Sequence, residues 1–134
     1  MPPVIPPPLR DALRPLAVSF VPEIAGATTA QWSELEHRIT QALASRPPAM
    51  RRQLGLFVRV LQAASRLRYR TGLAALDPGR RTALLEAFAG SPLLLFRRGI
   101  WGLRTLVMLG WYTQPSVVSA LGYRASPAGW EARR

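Results

Sequence analysis

The side chains that could carry acid–base or metal chemistry are few in these 134 residues: a single histidine, His37, and seven carboxylates, with no cysteine. Ser33 and His37 are four apart, as are Glu34 and Arg38, which is the ordinary spacing of neighbours on a helix surface. Neither Asp11 nor Asp77 has a reason in the sequence to lie near His37. A zinc site would need carboxylates for its remaining ligands, and only Glu34 shares a face with His37, since Glu36 points elsewhere. That is too small a donor set. Without cysteine there are no disulfides, thiolate sites, iron–sulfur clusters or thiol nucleophiles. Lysine is also missing, which removes Schiff-base chemistry and the phosphate-loop lysine. Gly90, Gly99, Gly102 and Gly110 are scattered along helices and match no dinucleotide or phosphate loop. The residues therefore predict no catalytic site, no metal site and no cofactor in this chain.

The remaining chemistry is that of binding. All 18 basic residues are arginine and the net charge is +11, which favours an acidic protein surface, anionic lipid or nucleic acid. Arginine in place of lysine throughout fits GC-rich coding better than selection at each site. Two arrangements stand out. Arg52, Arg59, Arg66 and Arg70 fall in one stripe when their segment is projected at 100° per residue. That stripe reads as a solvated face, an acidic-partner contact or a phosphate-binding surface, and no helix-turn-helix or RNA-recognition pattern accompanies it. Further on, Arg97, Trp101, Arg104, Met108 and Tyr112 share a helix side and are residue types enriched in protein interfaces. The competing reading is a central helix surrounded by its neighbours, its arginines reaching out past apolar side chains.

Proline and glycine divide the chain into the helices that must position these residues, and no segment alternates as a strand would. The expected fold is all-α: one compact domain of five to six helices over residues 9–124, an extended proline-rich arm at 1–8 and a coil tail at 125–134. The first helix is placed within 9–20, with Leu13, Leu16, Ala17 and Phe20 on one side and Pro15 either kinking it or marking its first turn. Thr28 and Gln31 form a capping box for a second helix carrying Trp32, Leu35, Ile39, Ala42 and Leu43. Pro47 and Pro48 open a third, with Met50, Leu54, Phe57, Val58, Leu61 and Ala64 on one face and Gly72 as the left-handed stop. Leu56, Val60 and Leu67 widen its apolar sector beyond what one core contact needs, which predicts a partner. Asp77 and Pro78 open a fourth helix with Leu84, Leu85 and Phe88 inward, ended by Gly90; Ser91 and Pro92 open the fifth. In the fifth, Ile100, Leu103, Leu106, Val107 and Trp111 form the core side, and Gly110 allows a neighbour to approach closely. Pro115 starts a sixth that Gly122 ends, and the tail reads as coil in which Trp130 is the one candidate anchor. The stretch 93–112 is the most hydrophobic, yet Arg97, Arg98 and Arg104 interrupt it at about 2.5–3.5 kcal/mol each near a bilayer centre, so a buried helix is expected there instead of a membrane span.

The sequence LGWYTQP over residues 109–115, followed by ALGY over 120–123, resembles the gluconate 2-dehydrogenase subunit 3-like family, whose members end a long helix with a "gyYt.pev…lGY" pattern. The segment from Leu16 to Pro22 and the LDPGRR helix start at 76–81 resemble further parts of that family, so the likeness spans most of residues 10–124. The resemblance implies a helical, non-catalytic, gamma-like accessory subunit. Such a subunit binds a large FAD-dependent oxidoreductase of the glucose–methanol–choline group and supports its maturation, stability or export, with flavin and chemistry in the partner. It transfers no active-site residue. The expected contact comprises Arg97, Trp101, Arg104, Met108, Tyr112 and Tyr123. Many family members carry a twin-arginine signal, whereas this sequence begins with prolines and shows no signal pattern. A cytoplasmic complex is expected, or a periplasmic one exported by a signal on the partner. No haem-attachment motif occurs, so an electron-transfer haem would belong to another subunit. The alternative function is an arginine-rich module for nucleic acid or an anionic membrane.

Overall fold

The computed structural model describes residues 5–120, which form six α-helices: α1 (Pro7–Phe20), α2 (Thr29–Ala44), α3 (Pro48–Tyr69), α4 (Pro78–Ala89), α5 (Leu94–Tyr112) and α6 (Pro115–Ala120). Two 3-10 turns, Pro22–Gly26 and Leu73–Ala75, join α1 to α2 and α3 to α4. The chain is all-α, with no strand among the described residues. Tyr123, Gly122, Trp130 and the tail at 125–134 lie outside the described residues.

Local chemistry sets most helix starts. Thr28 accepts from the Gln31 amide while the Gln31 side chain accepts from the Thr28 amide, so two otherwise orphaned N–H groups are satisfied at the head of α2. Asp77 caps α4 by accepting from the Arg80 amide. At the N-terminus residues 1–4 of the expected arm lie outside the described residues, and α1 already begins at Pro7. Pro7 and Pro8 form the first turn of α1, where their missing N–H groups have no intrahelical partner to lose, and Ile5 is already in the core. Pro15 lies inside α1, which runs on through it to Phe20. At the far end of α3 the left-handed residue is Arg70, at φ 61°, and not Gly72. The Arg70 amide bonds the Arg66 carbonyl, and closing the helix there comes before the chain reaches the glycine. α5 begins two residues later than its Ser91-Pro92 signal because the Ser91 hydroxyl accepts from the Leu93 amide and holds a turn first.

α5 is the hub. Its largest contact is with α2, and it also meets α4, α1, α3 and α6; α1 in turn lies on α3. The shared core draws Leu9, Leu13, Leu16 and Ala17 from α1, Leu35, Ile39 and Leu43 from α2, and Leu84, Leu85 and Phe88 from α4. α5 supplies Ile100, Leu103, Val107 and Trp111, while Leu106 is half-buried. α3 buries only Val58 and Leu61 of its expected apolar face; Leu54, Phe57 and Ala64 are half-buried and Met50 is exposed. A Cβ on Gly110 would lie 2.7 Å from Leu35 Cδ1 and 3.1 Å from the Leu35 carbonyl oxygen, so the α2–α5 approach requires glycine. Just beyond, the buried Gln114 amide donates to the Gly110 carbonyl at 2.8 Å and to the Gln31 carbonyl at 3.1 Å, tying the end of α5 to the start of α2.

Two substitutions test these backbone arguments. Gly110→Val is expected to lower unfolding free energy by about 2 kcal/mol, because overpacking against the Leu35 backbone outweighs the few tenths gained in helix propensity. Arg70→Gly is expected to raise it by about 0.5–1 kcal/mol by relieving the left-handed conformation, net of the extra freedom of glycine when unfolded. Urea titrations of both variants followed by circular dichroism give the two signs.

Candidate partner interface

With α2 on one side of α5 and α1 and α4 on others, one stripe of that helix is left uncovered. Arg97, Trp101 and Arg104 are exposed along it, Trp101 at 71 % of its full accessibility. Leu94 stands at its head and the exposed Leu95, Arg98 and Leu109 flank it. Exposing a tryptophan among leucines in this way forgoes about 25 cal/mol per Å² of apolar surface, so this stripe gains from being covered. The spacing of these residues, at intervals of three or four, does bring them onto one side. Met108 is half-buried against the core instead of standing free. Tyr112 lies at the rim, where its hydroxyl donates to Glu23 Oε1 at 2.7 Å and ties α5 to the first 3-10 turn. That hydrogen bond, with burial and the Glu23 charge adding to it, raises the phenol above its ordinary pKa. Tyr112 is therefore an internal tether as well as an edge of the stripe.

The second basic arrangement is three residues long. Arg52, Arg59 and Arg66 are exposed along α3, one every two turns, whereas Arg70 sits beyond the helix as its cap. Among the described residues the ion pairs are Arg38–Glu34 at 2.8 Å and Arg80–Asp77 at 3.4 Å, so the α3 line faces no carboxylate of its own chain there. Arg81 takes a structural role that its spacing does not signal. Arg81 is buried at the junction of α4 and the second 3-10 turn, where it donates to the carbonyls of Leu73 at 3.0 Å, Leu76 at 2.8 Å and Ala74 at 3.5 Å. Burial pushes its pKa down, and the Asp77 charge offsets part of that. A guanidinium stays protonated in any protein, so these bonds remain charge-assisted. The signal was weak: Arg81 sits four residues after the Asp77 cap, on the inward side with Leu84, Leu85 and Phe88.

The site's capacity for chemistry is small. His37 is exposed, Glu34 is engaged with Arg38, and no three metal-ligating side chains cluster among the described residues. An apolar void between α1, α2 and α5 has a volume of about 10 Å³, at the lower limit for a single water. A larger depression of about 480 Å³ opens between α3, α4 and the start of α5, lined by Ala64, Leu67, Arg68, Leu84, Ala87, Phe88, Ser91 and Phe96. No described helix is long and apolar enough to cross a membrane. No family model, curated protein or solved structure matches the chain.

Arg81 carries the prediction for this region. Arg81→Met keeps the aliphatic stem but removes the charged donor from the Leu76 carbonyl and leaves the Leu73 carbonyl only the longer bond from the Leu76 amide, at 3.3 Å, and should cost about 2–4 kcal/mol. The guanidinium denaturation midpoint should fall at unchanged slope, and a midpoint within error of the parent would show that water replaces the bonds without loss.

Proposed function

We propose that this chain is a non-catalytic accessory subunit that binds a large FAD-dependent oxidoreductase of the glucose–methanol–choline type, acting on alcohol or sugar CH–OH groups, and stabilises it or helps it mature. The observation that carries the reading is the uncovered stripe on α5, where Trp101 stands 71 % exposed between Arg97 and Arg104, with Leu94 and Leu95 at its head. Aromatic and arginine side chains together on one exposed helix side are what buried contacts between subunits are made of. The nature of the partner rests on the resemblance of residues 109–115 and 120–123 to the accessory-subunit family, of which α5 and α6 carry the described part. The flavin and the reacting groups belong to the partner.

Tagged chain recovered from its native cells is expected to bring down one large protein in near-equimolar amount, with the visible absorption of a flavin in the eluate. Trp101→Ala combined with Arg104→Ala should reduce the retained flavoprotein at least tenfold, about 1.4 kcal/mol, while leaving the helical circular dichroism intact. Unchanged retention would remove those two residues from the contact. A colourless eluate rich in nucleic acid or lipid would overturn the accessory-subunit reading and make the Arg52, Arg59 and Arg66 line the functional surface.

A further inference from the structure

The depression between α3, α4 and the start of α5 is a different surface from the α5 stripe, and its construction specifies an occupant. Its walls are built at helical spacing from both sides: Ala64, Leu67 and Arg68 on α3 face Leu84, Ala87 and Phe88 on α4. Phe96 and Phe88, with ring centroids 4.8 Å apart, close it, and Phe57 meets Phe88 edge-on from behind at 6.0 Å. Phe57 reaches that position because Gly99 leaves room on α5; a Cβ there would be 2.5 Å from its ring. Leu67 is left 86 % exposed at the rim.

The volume, about 480 Å³, falls in the range of small-molecule pockets, but those enclose most of their ligand and converge several polar groups on it. This depression is open, and its only polar side chains are Arg68 and Ser91. A bilayer surface is flat and would leave a recess between two helices unfilled. An extended peptide would bring backbone N–H and C=O groups onto apolar walls with nothing to pair them. A helix satisfies its own backbone and presents only side chains. Charge fixes the rest. Arg68 stands exposed on the wall of the groove in a chain of net charge +11. It is in no ion pair among the described residues. α4 contributes one free-standing carboxylate, Glu86, since Asp77 is engaged as cap and with Arg80.

We propose that this groove docks an amphipathic helix of a partner protein, with leucine-sized side chains entering between α3 and α4 and a flanking carboxylate meeting Arg68. The probe is a fluorescein-labelled amphipathic peptide of roughly five helical turns, with leucine at i, i+3, i+4 and i+7 and glutamate on both flanks. Anisotropy titrations against the full chain should saturate at peptide concentrations well below about 1 mM and weaken with added salt. The same peptide with lysine for glutamate should bind at least about tenfold more weakly. Leu67→Gln combined with Ala87→Glu alters two exposed positions, keeps good helix formers and should weaken binding of the glutamate peptide by a similar factor. Trp101→Ala should leave it unchanged, which separates this groove from the α5 stripe. Failure of the glutamate peptide to saturate, equal binding by the lysine peptide, or no effect of the groove pair would overturn the proposal. Co-sedimentation with phosphatidylglycerol vesicles in the absence of peptide binding would overturn it in favour of a lipid surface. Loss of peptide binding in Trp101→Ala alone would place the peptide on α5, removing the groove and leaving the accessory-subunit reading standing.

Discussion

The approach of Gly110 to the Leu35 backbone is the constraint from which the arrangement follows. With no side chain between them, α2 and α5 come close enough for Leu35, Ile39, Val107 and Trp111 to share one core layer. Gln114 then fixes the register by bonding across to the Gln31 carbonyl. Once α2 occupies that side of α5, α1 and α4 must take other sides of the same helix, and α3 is held chiefly through α1. The nineteen residues of α5 bury one side against these neighbours, through Ile100, Leu103, Val107, Gly110 and Trp111. The opposite side, from Leu94 past Trp101 to Leu109, stays open. The exposed tryptophan is thus a consequence of the packing: no helix of the described chain is left to cover it.

The arginines divide by environment in a way their uniform chemistry hides. Arg81 is a structural residue, holding three carbonyls of a turn that has too few backbone partners of its own. Arg14 lies 5.0 Å from the Trp32 ring, and Arg68 and Arg80 lie over Tyr69, so part of the charge is absorbed by aromatic faces. Arg38 pairs with Glu34 and Arg51 donates to the Leu43 carbonyl, while Arg52, Arg59, Arg66, Arg97, Arg98 and Arg104 stand exposed. Seven carboxylates cannot neutralise 18 arginines whatever the fold, so repulsion between neighbouring guanidinium groups is built into the composition and is relieved by an anionic surface.

Helix number, the capping box at Thr28, the Asp77 start and the inward faces of α2, α4 and α5 were legible because each rests on interactions within about four residues. The same holds for the side of α5 that carries Arg97, Trp101 and Arg104, which periodicity alone defines. Whether that side is covered was not legible, since coverage depends on which helices reach α5. The start of α1 and the end of α3 depart from their local signals because contacts across elements override them. Pro7-Pro8 and Gly72 are strong local signals, but burial of Ile5 drew the prolines into a helix, and the turn held by Gln62 and Arg81 closed α3 at Arg70 before the glycine. Arg81, Gln114 and the Phe57–Phe88–Phe96 cluster are made by contacts across elements and leave almost no trace in spacing.

The two uncovered surfaces differ in what would satisfy them. The α5 stripe is convex, and its aromatic and arginine side chains would enter a partner; the groove is concave, and side chains of a partner would enter it. A convex surface of exposed apolar groups beside a concave one on the same small chain also allows a head-to-tail contact between copies, in which Trp101 of one enters the groove of the next. Charge works against that closure. Both surfaces carry arginine, Arg97 and Arg104 on the stripe and Arg68 on the groove, so self-association would bring guanidinium groups together at both contacts. A partner bearing carboxylates meets neither penalty. Arginine on both surfaces therefore opposes self-assembly at either contact, and the same charge would favour an acidic surface over a second copy.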